Sequence, residues 1–237
     1  MNRFRQLLAA GVLCGVAVGA QAQLSSTITA TSDYDFRGFS QSAKDPALQA
    51  SLDYAFSNGF AVGAWASNVD FDNDADVEVD YYASFTRAIN DAASWSLGAT
   101  LYSYPGSDDV EDYPEFYAGV EVGKFSFKQW YSDNYLKADA GSAYYTEGNA
   151  TFELPHDLSL LLHAGYSWGD FWKDDSAGGG ELIDYSVGLG YTVGNFDLNL
   201  KWTGTDASGD QKITDDVGNN EGRIVFTVAT TLPWGKK

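Results

Sequence analysis

Asp70, Asp72, Asp74, Asp76, Glu78 and Asp80 occupy every second position of one short stretch. In an extended chain, side chains two residues apart project from one side about 6.6–6.8 Å apart. Such a ladder of hard oxygen ligands suits divalent cations, and its first four members, Asp70, Asp72, Asp74 and Asp76, form a weak cation-site candidate. An EF-hand is not implied. Ala75 stands where the sharp-turn glycine belongs, and Tyr81 stands where the bidentate glutamate belongs. A solvated acidic hairpin at the mouth of a pore is the competing reading. A second pattern, Gly165-Tyr166-Ser167-Trp168-Gly169, spells a nucleophile elbow. That chemistry requires a strand-to-helix turn followed in the chain by an acid and then a histidine. No helix is indicated there, and both histidines, His156 and His163, precede Ser167. No catalytic residue is therefore assigned. His163 shares its face with Ser159, Gly165 and Ser167 and reads as a wet, hydrogen-bonded histidine, whereas His156 falls in a turn.

The elements that carry these residues are strands. From Leu24, one face reads Leu24, Ser26, Ile28, Ala30, Ser32, Tyr34, Phe36 and the other Ser25, Thr27, Thr29, Thr31, Asp33, Asp35, Arg37. Sustained period two marks a strand with one apolar and one polar side. The pattern returns at 47–56, 77–88, 94–104, 158–168, 183–193, 196–205 and 223–232, and less cleanly at 60–69, 113–122, 125–134 and 142–154. These are twelve segments. The connections Ser57-Asn58-Gly59, Asn90 to Ala93, Gly123-Lys124, Pro155-His156-Asp157 and Gly194-Asn195 are short and rich in turn formers. Between them fall long polar connections at about 37–46, 70–76, 105–112, 135–141, 169–182 and 206–222. Strict alternation of short and long is the signature of an up-and-down outer-membrane barrel with periplasmic turns, outer loops and both termini periplasmic. A soluble β-sandwich has no reason to alternate in this way. Tyr54, Phe56, Phe60, Tyr81, Trp95, Phe125, Phe152, Tyr191 and Phe196 are expected beside the short turns, as an interfacial girdle.

The N-terminus places the chain in an export pathway. Arg3 and Arg5 precede an apolar run from Leu7 to Ala20, and Ala20-Gln21-Ala22 gives a small-x-small cleavage site. Residues 1–22 are expected to be a cleaved signal peptide, leaving 23–237 as a single barrel domain. Cys14, the one cysteine, lies within the signal, so disulfides and thiolate chemistry are excluded from the mature chain. With 14 basic against 33 acidic residues the net charge is −19, which argues against nucleic-acid binding. No cofactor is indicated. In a barrel the polar faces line the interior. The pore-lining candidates are Asp33, Asp35, Arg37, Asp53, Asp80, Glu115, Glu121, Lys128, Glu147, His163, Asp184, Lys201 and Arg223. Acids outnumber bases among them, which predicts a weak preference for cations.

The stretch Ser32-Asp33-Tyr34-Asp35-Phe36-Arg37-Gly38-Phe39-Ser40-Gln41-Ser42 resembles the opening signature of the TorF-type porins, proteobacterial outer-membrane proteins catalogued as conserved hypotheticals. The likeness continues through Leu52-Asp53-Tyr54, Gly59-Phe60, Trp65 to Phe71, Tyr113 to Tyr117, Gly165-Tyr166-Ser167, Asp184 to Gly188 and Arg223 to Phe226. It implies a barrel and a pore, and transfers no substrate or catalytic residue. One departure is that Trp234 is followed by Gly235-Lys236-Lys237, where barrels of this kind end on an aromatic. The expected function is passive diffusion of small hydrophilic solutes or ions. The expected partners are outer-membrane lipid, lipopolysaccharide and, during biogenesis, the barrel-insertion machinery. The alternatives are a non-conducting barrel whose acidic loops bind a ligand or divalent cations, and, more remotely, an outer-membrane hydrolase built on Ser167 and His163.

Overall fold

The computed structural model describes residues 23–174 and 179–234. The expected signal peptide and the terminal Gly235-Lys236-Lys237 lie outside the described residues. Twelve antiparallel strands close into a barrel. They are β1 (Gln23–Thr31), β4 (Ala47–Ala55), β5 (Phe60–Asn68), β6 (Val77–Asn90), β7 (Ala93–Ser103), β8 (Tyr113–Val122), β9 (Phe125–Ser132), β10 (Ala143–Leu154), β11 (Leu158–Gly169), β12 (Leu182–Val193), β13 (Phe196–Thr205) and β14 (Arg223–Leu232). Two further two-residue strands, β2 (Asp35–Phe36) and β3 (Phe39–Ser40), form a separate hairpin. Each barrel strand pairs with its sequence neighbours, and β1 pairs with both β4 and β14, which removes the open edge. Five tight turns alternate with six long connections: L1 (32–46), L2 (69–76), L3 (104–112), L4 (133–142), L5 (170–181) and L6 (206–222).

Alternation is what makes these segments strands. Leu24 and Ile28 on β1, Leu48 and Leu52 on β4, and Ile224 and Phe226 on β14 point outward; Leu48 and Ile224 are 64% and 69% exposed. An aqueous protein would not leave such a band bare, whereas a bilayer covers it. Most of the expected girdle lies at the turn end, with Tyr54 against Phe56, Phe60 against Phe85 and Phe125 against Phe152. Tyr81 does not belong to it. It pairs with Ala64 and Leu101, nearer the loop end of β6 than its turn. A second aromatic belt lies nearer the loops, where Tyr131 tilts against Tyr144 and Tyr144 stacks on Trp168 across β9, β10 and β11.

The inward faces change character along the axis. On β4, Ala47 and Gln49 near the loops are buried, while Ser51, Asp53 and Ala55 towards the turn are partly exposed. β1 behaves likewise, with Thr31 buried and Ser25, Thr27 and Thr29 partly open. The interior is open at the turn end and filled at the loop end. The filling is an aromatic cluster: Tyr34, Phe36 and Phe39 of L1, Phe71 of L2, Tyr104 of L3, Tyr135 of L4, and Phe171 and Trp172 of the short helix α1 (Asp170–Lys173). It rests on the stacked pair Tyr102 and Tyr113 of β7 and β8.

Candidate functional site: the lumen and its infolded segment

The first strand is shorter than its alternation predicts. It ends at Thr31, and the chain turns into the barrel. Thr31 Oγ1 donates to the Asp33 carbonyl at 2.8 Å, and the Ser42 hydroxyl accepts from the Tyr34 amide at 3.0 Å. Asp35 pairs with Ser40 and Phe36 with Phe39, leaving Arg37-Gly38 as a two-residue turn. Both turn residues have positive φ, 52° and 88°, the backbone twist that short hairpins favour. Gly38 has a second reason to be glycine: a Cβ there would lie 2.4 Å from Thr205 Cγ2 and 2.9 Å from Asp184 Cβ.

This hairpin brings together Asp33, Asp35 and Arg37 with candidates on the wall. Asp33 Oδ2 accepts from Arg223 Nε at 2.5 Å and its Oδ1 from Ser40 Oγ at 2.6 Å. Asp35 Oδ1 accepts from Arg223 Nη2 at 2.6 Å, and its Oδ2 from Lys201 Nζ at 2.7 Å and Thr203 Oγ1 at 3.1 Å. Arg37 forks onto Glu115 at 2.9 and 2.5 Å and lies over the rings of Tyr145, 4.3 Å away, and Phe36, 4.7 Å away. Glu115 also accepts from Tyr102 at 3.0 Å, and Tyr34 donates to Glu78 at 2.8 Å. Glu115 is on β8 and Arg223 on β14, six strands apart in a ring of twelve. L1 therefore spans the lumen from one wall to the other.

The remaining candidates sit on the wall. Asp53 on β4 accepts from Ser51 at 2.7 Å and from the Tyr82 hydroxyl. Asp80 on β6 lies beside Glu78, both 2% exposed, and its Oδ1 has no hydrogen-bond partner. Glu147 accepts from Trp130 Nε1 at 2.8 Å, and Lys128 lies 4.6 Å over the Tyr117 ring. His163 is held at both ring nitrogens, Nδ1 by Asn149 at 2.7 Å and Nε2 by Asp184 at 2.8 Å and Tyr145 at 3.0 Å. Glu121 stands apart, exposed near the turn after β8.

One sequence pattern is corrected. The acidic ladder does not form, because β6 starts only at Val77 and residues 69–76 are the loop L2. Asp72 adopts φ 57°, and Asp70 Oδ1 accepts the Asp72 amide, folding the chain back on itself. Asp74 instead braces L3, accepting the amides of Asp108 at 2.8 Å and Asp109 at 3.3 Å. Among the described residues no group of three or more His, Cys, Asp or Glu side chains is gathered to hold a metal ion. The elbow pattern, set aside from the sequence, does not put Ser167 at a strand-to-helix turn. Ser167 lies within β11, 1% exposed, and His163 on the same strand is about 13 Å along it.

Sequence reasoning missed Tyr34, Tyr145, Trp130 and Thr203. Thr203 and Tyr145 were findable as same-face neighbours of Lys201 and Glu147. Tyr34 was not, because its alternation assigned it to the lipid side.

Together these residues form a closed antiparallel barrel with a polar, charged interior crossed by an infolded loop. The chain belongs to the Gcw_chp family, bacterial proteins of unknown function, whose model matches residues 17–232. No curated protein sequence matches it. Among solved structures it is similar to the KdgM porin, with 13% identity, a TM-score of 0.53, and 90% of this chain and 99% of that one covered. It is equally similar to a KdgM porin in complex with disordered oligogalacturonate, with 12% identity, a TM-score of 0.54 and coverage of 91% and 99%. The NanC porin aligns at 10% identity, with a TM-score of 0.53, over 88% of this chain and 98% of that one. At these identities the likeness establishes the fold.

Proposed function

We propose that the protein is an outer-membrane channel of the porin type, admitting small hydrophilic solutes or ions by passive diffusion and weakly preferring cations. The observation that carries this is the interior, where charged side chains of both signs face a lumen that is open at the turn end. Its likeness to TorF-type porins points the same way. In this reading the loops are extracellular, the termini periplasmic, and the apolar band faces lipid and lipopolysaccharide after insertion by the barrel-assembly machinery. A signal peptide over residues 1–22 supplies the export this requires. L1 acts as the constriction, as infolded loops can in barrels. With L1 in place, carboxylates neutralise Arg37, Lys201 and Arg223. Lys128 faces Glu147 across the β9–β10 pair, which leaves Asp53, Glu121 and Asp184 as an acidic excess, the basis for a cation preference. The pore-lining role of the thirteen candidates is part of the proposal. Planar-bilayer recording of the purified barrel tests it: conductance is expected, with a reversal potential in a potassium chloride gradient displaced towards the potassium potential. Absence of conductance in both the intact protein and a variant with residues 33–42 replaced by a short Gly-Ser linker would sink the channel reading.

A second reading rests on the aromatic cluster at the loop end. In it the barrel is closed and its loops bind a ligand. Conductance only in the L1-replaced variant would favour that reading.

A further inference from the structure

The β13–β14 wall carries a socket for a carboxylate. Thr203 and Arg223 are direct cross-strand partners, and Lys201 lies two residues from Thr203 on the same face. All three are mounted on the barrel itself, so their donors are held in position by strand pairing. Each oxygen of the carboxylate in this socket is engaged, Oδ1 by Arg223 Nη2 and Oδ2 by Lys201 Nζ and Thr203 Oγ1. The Nε edge of the same guanidinium takes a second carboxylate, that of Asp33. Charge-assisted, multiply donated contacts of this kind select planar anions.

The occupant belongs to the connection. Asp33 and Asp35 sit on L1, whose own hairpin is only two residues per strand. The backbone hydrogen bonds tying its 33–42 portion to other segments run from Ser40 to Asn219 and from Asp70 to Gln41. The side-chain contacts that hold it are the Arg37–Glu115 fork, the aromatic cluster and the bond from Arg223 Nη1 to the Gly38 carbonyl, and the acceptors on this hairpin are exchangeable when those contacts yield. We infer that Lys201, Thr203 and Arg223 form a binding site for small di- or polycarboxylate solutes, which Asp35 and Asp33 occupy as an internal mimic until a solute displaces them. This rests on the channel reading for access to the lumen. It is compatible with cation-preferring bulk conduction, because the two bases are unmasked only when L1 gives way.

The test is calorimetric titration of the detergent-solubilised barrel with succinate, with uncharged succinamide as control and heat-modifiable gel migration to confirm folding. Asp35→Asn removes the internal competitor's charge and is expected to raise succinate affinity at least tenfold over the intact protein, with no response to succinamide. Adding Lys201→Met to Asp35→Asn is expected to abolish the gain. Equal succinate affinity in the intact and Asp35→Asn proteins, or a gain that survives Lys201→Met, would overturn the inference. Bilayer recordings on the same samples separate the two claims. Succinate binding without conductance retains the socket and removes the channel, whereas conductance without binding does the reverse.

Discussion

Replacing Arg37 by Met should release L1 from the β8 wall while leaving the barrel closed. The Arg37 and Glu115 side chains are 8% and 2% exposed and joined by two hydrogen bonds. Methionine keeps most of the aliphatic stem but leaves Glu115 with only the Tyr102 hydroxyl. Removing one partner of a buried pair costs about 3–5 kcal/mol, because the other charge stays desolvated. At about 1.36 kcal/mol per tenfold, the ratio of docked to undocked L1 falls by roughly two to nearly four powers of ten. Amide hydrogen exchange reads this directly. The Ser40 and Gln41 amides, bonded to the Asn219 and Tyr34 carbonyls at 2.8 and 2.7 Å, should exchange faster by about that factor, while strand amides keep their protection. Arg37→Met combined with Glu115→Leu removes both charges and should return exchange to within about tenfold of the intact protein. Acceleration of less than about threefold in Arg37→Met would refute the claim that this pair docks L1.

Gly98→Ala places a Cβ 2.3 Å from Tyr117, which lies across the glycine on the paired strand. Overpacking of this kind costs about 1–3 kcal/mol, expected as a lower urea midpoint for barrel unfolding. Asp74 is held below its ordinary 3.8 by hydrogen bonds from the Ser107 hydroxyl and the Asp108 and Asp109 amides. A depressed acid stabilises fully above its unfolded value and loses that contribution as pH falls through the folded one. Protection factors at residues 107–110, corrected for the intrinsic pH dependence of exchange, should therefore be flat above pH 4 and fall below it, and Asp74→Asn should abolish that fall. Ser167→Ala should leave solute flux unchanged and alter no hydrolysis of p-nitrophenyl esters; an esterase activity lost in that variant would revive the hydrolase reading.

The twelve strands were legible because two independent signals agree on them. Alternation sets where side chains point, and loop-length alternation sets how strands connect. Both are local properties, and the barrel needs little more. L1 was illegible for the same reason. The period-two pattern of Leu24 to Arg37 runs unbroken through Asp33-Tyr34-Asp35-Phe36, yet the strand stops at Thr31. What ends it is tertiary, namely cations on β13 and β14 more than 160 residues away. The acidic ladder failed on a similar point. Asp70 to Asp76 alternates as a strand does, but Asp and Asn also hydrogen-bond their own backbone two residues on, as Asp70 and Asn73 do here. Alternation alone does not separate these outcomes.

The energetics of L1 connect its docking to its exchange. A buried ion pair is worth little in net terms, because desolvation offsets most of the attraction. Its loss is nevertheless costly when only one partner leaves. L1 carries carboxylates at Asp33 and Asp35 and a guanidinium at its hairpin turn, matched to opposite walls of the ring. A point change that strips one charge leaves a buried orphan and should disrupt the segment strongly. A solute that supplies an equivalent carboxylate at the moment Asp35 departs leaves no orphan on the wall, and the exchange is close to balanced. The same ion pairs can therefore be intolerant of mutation and permissive to a ligand. Whether the hairpin yields then depends on the Arg37–Glu115 anchor, which a carboxylate solute does not replace. Arg37→Met should accordingly increase succinate affinity even with Asp35 intact, and a variant that frees L1 in hydrogen exchange without raising that affinity would separate docking from occupancy.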